Sequence, residues 1–301
     1  MSILRANTPP EPAYIDLHIH STASDGSLSP VKIIQAADKA NLRAIAITDH
    51  DTVDGSVEAL QHQHSSGVEI LPGVEISASF ESGVMHILGY LIRLDDISFR
   101  ETLKVLQKAR ANRNLQILKR LQDLGIDISY DEVLKASGGG QIGRPHIAHV
   151  LVHKGVVQGI NEAFNKFLKK GSPAYAERYR LLPVEAIEAI SGAGGVPVLA
   201  HPFTLNAKTE GDLERVLVEL KQAGLKGVEA YCPGHGPAVT ALYERLADRH
   251  GLLVTGGTDF HGALKPDVHI GVGRGDLRIP YRLVEELKKE TNQPPSPSLS
   301  P

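Results

Sequence analysis

The chain has 301 residues, of which 42% are hydrophobic and 22% are charged, as in an ordinary globular protein. Its net charge of −3 provides no overall basic field, so we expect no stable binding of duplex DNA. The single cysteine, Cys232, excludes an internal disulfide framework and a cysteine-based zinc knuckle. No apolar stretch is long enough to span a membrane, and we expect a cytoplasmic protein.

The two ends of the chain are polar and contain several prolines. Residues 1–12 lack the apolar core of a signal peptide, and residues 292–301 consist mainly of proline and serine. We expect both segments to be disordered tails.

Strands and helices alternate over residues 13–97. Short apolar runs followed by polar residues predict strands, and a serine before a proline predicts the start of a helix at Pro30. The predicted strands are 13–17, 44–47, 68–75 and 85–92, and the predicted helices are 30–41 and 56–64. This alternation is typical of an α/β fold.

The pattern changes over residues 98–190, where there is almost no strand signal. An amphipathic helix ends at Gly125, and shorter helical segments follow at 131–136, 146–153 and 161–169. We therefore predict a mainly helical cap that is inserted into the α/β domain.

Alternation resumes over residues 191–291. Predicted strands at 196–200, 227–231 and 252–255 alternate with predicted helices at 211–223 and 281–290. Together with residues 13–97, this part predicts a barrel-like α/β domain.

Histidines and carboxylates lie at or just beyond the predicted strand ends, where parallel-sheet and barrel enzymes place their active sites. His18 and His20 are two residues apart on an extended chain, so both can face one metal ion. Such ligands suit zinc, manganese or iron, and nine are too many for one ion. We predict two or three ions, with Glu75 as the bridging carboxylate. The nine candidate ligands are His18, His20, Asp25, His50, Glu75, His86, His201, Asp259 and His261.

Six segments of the chain resemble the motifs of the polymerase-and-histidinol-phosphatase (PHP) phosphoesterases. They are 16–20 (DLHIH), 48–51 (TDHD), 72–75 (PGVE), 86–90 (HILGY), 200–202 (AHP) and 258–261 (TDFH). The resemblance implies a distorted (β/α)7 barrel and a trinuclear site that commonly holds manganese, zinc or iron.

Carried over to this chain, the family pattern implies three ligand groups, of which the first two share Glu75. The groups are His18, His20, Glu75 and Asp259 for one ion; Glu75, His86 and His201 for the second; and Asp25, His50 and His261 for the third. The implied chemistry is phosphoester hydrolysis by a metal-activated hydroxide, with Glu75, Asp259 and His201 as the catalytic residues. Asp16 and Asp49 resemble residues that orient the histidines.

The insertion resembles that of one subgroup, through segments 143–148 (GRPHIA) and 171–175 (GSPAY). This subgroup hydrolyses nucleotide phosphates, which implies removal of the 3′-phosphate from 3′,5′-bisphosphorylated nucleosides such as pAp. The alternative is a 5′-to-3′ exoribonuclease acting on short 5′-phosphorylated RNA. A histidinol-phosphate-type phosphatase fits the insertion less well, and a non-catalytic metal-binding module does not explain a complete ligand set.

Substrate contacts are expected from the cap. Arg144 is the first candidate for a phosphate clamp, because a guanidinium can bind phosphate with two hydrogen bonds, and His146 and Arg113 are further candidates. The opposing interpretation is a surface salt bridge for Arg144 and a solvated helix face for Arg113. Lys169, Lys170, Arg178 and Arg180 flank the predicted loop at Gly171, where they either contact a second phosphate or an RNA backbone, or form a solvated rim.

Overall fold

A computed structural model describes residues 13–291. The two predicted tails, residues 1–12 and 292–301, lie outside the described residues. No helix within residues 13–291 is long and apolar enough to cross a membrane.

Seven strands form one sheet, and their order in the sheet is their order in the chain. Neighbouring strands are parallel, except that β4 runs antiparallel to both β3 and β5. The strands are β1 (Tyr14–Ile19), β2 (Leu42–Ile47), β3 (Glu69–Ala78), β4 (Met85–Tyr90), β5 (Val196–Leu199), β6 (Gly227–Tyr231) and β7 (Leu253–Gly256). The predicted α/β class is thus confirmed, with a sheet that is mostly parallel.

The segment after β7 returns to β1, at the other edge of the sheet. His20 donates its backbone N–H to the carbonyl of Phe260 at 2.9 Å, and Ile19 and Phe260 form a parallel bridge. Gly257 permits this approach, because a Cβ atom on it would lie 2.3 Å from the Cβ of His18. The end of β1 and the segment after β7 therefore lie side by side.

Ten α-helices connect and cover the strands of the described chain. They are α1 (Pro30–Lys39), α2 (Asp54–Gln61), α3 (Ile97–Asp123), α4 (Tyr130–Ala136), α5 (Arg144–His153), α6 (Ile160–Ala163), α7 (Pro183–Gly192), α8 (Glu210–Gln222), α9 (Pro237–Arg249) and α10 (Arg282–Glu290). A five-residue π-helical turn, Phe164–Leu168, extends α6. The sequence analysis proposed no helix at the positions of α7 and α9.

The strands alternate their side chains between two buried faces, which explains their almost continuous apolar sequences. In β2, Ala44 and Ala46 pack with α10, whereas Ile45 and Ile47 pack with α1 and α2. Helices α7, α8 and α9 cover the remaining strands in the largest apolar cluster.

Helix α3 belongs to two apolar cores. Phe99, Leu103 and Leu106 in its first half pack in the cluster that covers the sheet, and Ile117 and Leu121 in its second half pack in a separate helical cluster. This second cluster contains α4, α5 and α6. Helix α3 thus connects the packing of α4, α5 and α6 to that of the sheet.

The predicted cap boundary at residue 190 assigns α7 to the insertion, but the structure packs this helix on the sheet. Ile187 and Ile190 are fully buried in the cluster that covers β4 and β5. The apolar positions of α7 do not show which of the two cores it joins, so its placement depends on tertiary packing.

Candidate metal centre

The nine predicted ligands lie at one edge of the sheet. Most follow the carboxyl ends of parallel strands, as expected. His86 differs, because it is the second residue of β4. Since β4 is antiparallel to β3 and β5, the start of β4 lies at the same edge as the ends of its neighbours. The prediction that every ligand lies at or just beyond the carboxyl end of a strand is therefore wrong for His86, and Glu75 lies inside β3, three residues before its end.

The structure brings all nine residues together. Among the residues that the structure describes, four overlapping groups have ligand atoms close enough to hold a metal ion, and these groups contain the nine predicted residues and no others. The groups are His18, His20 and Asp259; His18, Glu75 and His201; His50, Glu75 and His86; and His20, Asp25, His50 and His261.

Glu75 lies at the centre of the set, and its two carboxylate oxygens face different histidines. Oε1 lies 2.7 Å from Nδ1 of His86 and 2.9 Å from Nε2 of His201. Oε2 lies 2.8 Å from Nδ1 of His50 and 3.3 Å from Nε2 of His20. One carboxylate thus touches several ligand groups, as a bridging ligand would.

Several of these atoms are buried and have no hydrogen-bond partner. They are Nε2 of His18, Nε2 of His20, Nδ1 of His50 and Oε2 of Glu75. Unsatisfied buried polar atoms are costly, and they are uncommon in native structures. Nitrogen and oxygen lone pairs that converge without hydrogen-bond geometry suit a divalent cation between them. The residues present therefore fit a metal centre.

Three residues at this edge adopt backbone angles that side chains rarely adopt. The φ angles of Asp51, His201 and Asp259 are +56°, +26° and +50°. Such conformations cost about 1–3 kcal/mol each, and they persist where the surrounding structure enforces them. Here they direct His201 and Asp259 into the ligand cluster.

The carboxylates and imidazoles of the cluster shift one another's pKa. Burial raises the pKa of Glu75, but the neighbouring His86 and His50 outweigh it and hold the pKa well below its usual range. Burial, together with His20 and Lys265, lowers the pKa of His261 to about 3, and burial lowers that of His86 to about 4. These two imidazoles are neutral near pH 7 and can act as metal ligands.

Glu229, in the middle of β6, contacts two candidate ligands and was not identified from the sequence. Its Oε1 lies 2.9 Å from Nδ1 of His18, and its Oε2 accepts the backbone N–H of His201 at 2.6 Å. The one signal in the sequence was a carboxylate within the otherwise apolar segment 227–231. Glu229 thus positions two ligands of the cluster.

Asp16 and Asp49 support the site through backbone and hydroxyl contacts. Asp16 accepts the backbone N–H of His18 at 3.3 Å, and it accepts those of Thr258 and Gly271, which fix the segment that carries Asp259. Asp49 acts indirectly, because the hydroxyl of Ser24 donates to it at 2.6 Å. That hydroxyl lies 3.4 Å from Nδ1 of His20.

A cavity of about 710 Å³ extends from the candidate ligands to the helices between β4 and β5. Asp25, His50 and His86 form part of its wall. Seven cationic residues line the cavity on the side of the insertion: Arg110, Arg113, Arg144, Lys169, Lys170, Arg178 and Arg180. Glu81 and Glu177 are the acidic lining residues outside the metal cluster, so the cavity carries excess positive charge.

The arginines of the cavity lower one another's pKa. Burial, followed by the repulsion of Arg110 and Arg144, holds the pKa of Arg113 well below its usual range. Burial and Arg110 lower the pKa of Arg178 to about 10, although Asp51 opposes this change. The seven cationic residues that line the cavity therefore carry more positive charge than Glu81 and Glu177 can neutralise.

The model of the PHP domain family matches residues 16–172 of this chain. The chain belongs to the PHP family. The motif resemblance found in the sequence is thereby confirmed.

Several PHP relatives align over most of this chain. It is 33% identical to a 3′,5′-nucleoside bisphosphate phosphatase from Chromobacterium violaceum, over 83% of this chain and 87% of the relative. It is also 33% identical to a 5′-3′ exoribonuclease from Haemophilus influenzae, over 82% of this chain and 89% of the relative. A protein from Bifidobacterium adolescentis, assigned as a metal-dependent phosphoesterase, superposes with a TM-score of 0.82 at 31% identity, over 95% of this chain and 99% of its own.

These similarities confirm the enzyme class that the motifs predicted. The two named relatives are a phosphatase and an exoribonuclease, which are both phosphoric ester hydrolases. The PHP chain described here is therefore a phosphoesterase, and its cluster of histidines and carboxylates is suited to divalent metal.

The predicted substrate residues of this PHP enzyme have different surroundings. Arg144 and Arg113 line the cavity. Arg144 donates to the carbonyl of Leu168 at 3.2 Å, and Arg113 donates to the side chain of Asn114. His146 is buried and does not line the cavity. Its Nδ1 accepts the backbone N–H of Gly143, the residue before α5, and so caps this helix.

Proposed function

We propose that this PHP enzyme removes the 3′-phosphate from 3′,5′-bisphosphorylated nucleosides such as pAp. The observation that carries the proposal is the position of the cationic cavity directly beside the metal-ligand cluster. A substrate with two phosphates can place one at the cluster and the other among the arginines. The similarity to the Chromobacterium phosphatase supports the same substrate class.

The cationic residues suit a compact polyanion. Guanidinium groups bind phosphate with paired hydrogen bonds, and their interactions strengthen away from bulk water. Arg110, Arg113 and Arg144 come from α3 and α5, whereas Arg178 and Arg180 come from the segment that returns to the sheet. In the proposed complex, these side chains neutralise the phosphate that does not react and hold the nucleotide in place.

The nine ligands would hold two or three divalent ions of manganese, zinc or iron. When bound, such ions supply an activated water and neutralise charge on the phosphoryl oxygens. Glu75 holds the ligand groups together, Asp259 and His201 complete them, and Glu229 keeps Nδ1 of His18 engaged so that Nε2 faces the centre. Arg144 binds the substrate without contacting the cluster.

We also propose that residues 13–97 and 191–291 form a distorted barrel. The seven-stranded sheet supports this proposal, because the segment after β7 lies beside β1. The helices over 98–190 serve as the cap over the substrate, and α7, at the end of this range, packs on the barrel.

An exoribonuclease is the second candidate function, and one observation favours it. Tyr179 and Phe203 are 53% and 52% exposed. Tyr179 stands in the chain between Arg178 and Arg180, which line the cavity, and the ring centroid of Phe203 lies 6.0 Å from that of His201. Exposed aromatic rings beside a cationic groove are typical of proteins that bind single-stranded RNA.

Product analysis over time distinguishes the two functions. The manganese-loaded enzyme is incubated with pAp and, separately, with a short 5′-phosphorylated RNA, and Glu75→Gln is the inactive control. The proposal predicts rapid release of phosphate from pAp and a kcat/KM for pAp that exceeds the value for RNA. Stepwise shortening of RNA with little phosphate released from pAp would establish the exoribonuclease instead.

A further inference from the structure

Asp51 is a buried carboxylate that neither the metal-ligand groups nor the cavity lining contain. It follows His50 directly, at a φ of +56°. Its Oδ1 accepts the backbone N–H of Ser77 at 3.0 Å, and its own N–H donates to the carbonyl of Glu75 at 2.9 Å. Asp51 is therefore fixed to the part of β3 that carries the central metal ligand.

The other oxygen of Asp51 holds two arginines of the cavity. Oδ2 accepts Nη2 of Arg110 at 2.5 Å and Nη1 of Arg178 at 3.0 Å. Arg110 lies on α3, where the insertion leaves the sheet, and Arg178 lies on the segment where the chain returns. A single carboxylate oxygen thus joins both ends of the insertion to the metal centre.

The two arginines remain incompletely satisfied. Their side chains are only 7% and 4% exposed, and Nε of each is buried without a hydrogen-bond partner. Two positive charges also share one negative charge. A bridge that served stability alone would leave neither the excess charge nor the two unpaired donors, because both are costly when buried.

We propose that Asp51 is a positioning residue, which holds Arg110 and Arg178 as a preformed pair for the phosphate that does not react. The inference rests on the proposed function, since it concerns the substrate of that site. Because Asp51 is fixed to the strand of Glu75, it sets the distance between this arginine pair and the metal ligands. That distance determines how well both phosphates of one nucleotide are bound together.

Steady-state kinetics of Asp51→Asn tests this role. The asparagine keeps the size of the side chain but removes the charge that both arginines share. We expect KM for pAp to rise about tenfold or more, as for the loss of one charge-assisted interaction, while kcat changes less than about threefold. Asp54→Asn, in the exposed first turn of α2, is the matched control and should match the wild type.

A double-mutant cycle with Arg178→Met shows whether Asp51 acts through the arginines. If it does, Asp51→Asn has a smaller effect on KM in the Arg178→Met background than in the wild type. Fully additive effects would show that Asp51 acts independently of Arg178 and would overturn the proposal. If circular dichroism shows Asp51→Asn to be unfolded, Arg178→Lys replaces it in the test, since lysine keeps the charge but loses the planar fork.

Titration of AMP into the manganese-loaded enzyme separates this inference from the proposed function. A wild-type enzyme that does not release phosphate from pAp refutes the proposed function. If Asp51→Asn still weakens AMP binding about tenfold, the positioning role stands. The positioning role would be overturned if Asp51→Asn left both the KM for pAp and the Kd for AMP unchanged. It would also be overturned if Asp51→Asn lowered kcat equally on pAp and on p-nitrophenyl phosphate without changing KM.

Discussion

Nδ1 of His18 lies 2.9 Å from Oε1 of Glu229, a residue 211 positions away in the chain. Both side chains are fully buried. Burial lowers the pKa of His18, but Glu229 and Glu75 outweigh it and raise the pKa well above its usual value. With Nδ1 engaged by Glu229, Nε2 is the atom left for a metal ion, and a carboxylate behind a metal-binding imidazole fixes the ring and increases its basicity.

Replacement of Glu229 should therefore weaken metal binding without removing a ligand. We expect Glu229→Gln to lower metal affinity by about 10- to 100-fold, as replacement of such partners does in other metal sites. Metal retained after dialysis against graded chelator measures this change. Glu244→Gln, on α9, is the control and should match the wild type; equal retention in both variants would show that Glu229 does not tune the site.

Glu75→Gln should remove activity and leave the fold. The amide keeps the size of the side chain but removes the negative charge that faces five histidines of the cluster. We expect turnover to fall by at least about two orders of magnitude, in line with the loss of metal-assisted hydrolysis. Turnover close to that of the wild type, with metal content also unchanged, would contradict the bridging role.

The stability of the metal-free protein should be greatest near pH 6.5. Burial opposes the charge on His20, but Asp259 and Glu75 raise its pKa to about 9, so the folded state gains stability as the pH falls from 9 to 6.5. The pKa values of His86 and His261 are lowered to about 4 and about 3, mainly by burial. The unfolded chain then takes up these protons first, and stability decreases as the pH falls from 6.5 toward 3.

Thermal unfolding in chelator across this pH range measures the effect. We expect Tm to be lower by at least about 5 °C at pH 4.5 than at pH 6.5. Below pH 6.5, the Tm of the variant His86→Asn should fall less steeply than that of the wild type, because the variant lacks one of the two imidazoles, His86 and His261. If its Tm falls as steeply as that of the wild type, His86 does not contribute to the loss of stability.

Arg144→Ala should affect nucleotides far more than small esters. A charge-assisted hydrogen bond contributes about 1.5–3 kcal/mol, so we expect kcat/KM for pAp to fall about ten- to a thousand-fold. Hydrolysis of p-nitrophenyl phosphate should fall much less, and metal content should stay constant. Arg215→Ala, an exposed residue of α8, controls for the loss of one positive charge.

Equal losses on both substrates would place Arg144 at the reacting phosphoryl group. The absence of any loss would make it a structural residue. Either result would contradict its proposed role at the phosphate that does not react.

Local patterns in the sequence predicted the strands and the nine candidate ligands. Apolar runs such as Ala44 to Ile47 are buried on both faces and therefore stand out, and most have a histidine or carboxylate at or just beyond one end. The nine candidate ligands needed no knowledge of long-range packing beyond the rule that such strand ends share one edge.

The remaining features depend on contacts between distant parts of the chain. Nothing near Arg178 shows that it meets Asp51, 127 positions earlier, and a run of arginines is as compatible with a solvated rim. Glu229 lies in a strand whose other residues are apolar, and nothing in that strand shows that it contacts His18 and His201. The placement of α7 on the sheet likewise follows from packing, since apolar positions in a helix do not identify their partner.

The metal content of the saturated protein tests the central claim most directly. Purified enzyme is loaded with manganese, freed of loosely bound ions and analysed for metal per chain, with Glu75→Gln treated in parallel. The overlapping ligand groups around Glu75 predict at least two ions per wild-type chain and fewer in the variant. A wild-type chain that binds at most one ion at saturation would contradict the multinuclear centre on which this account rests.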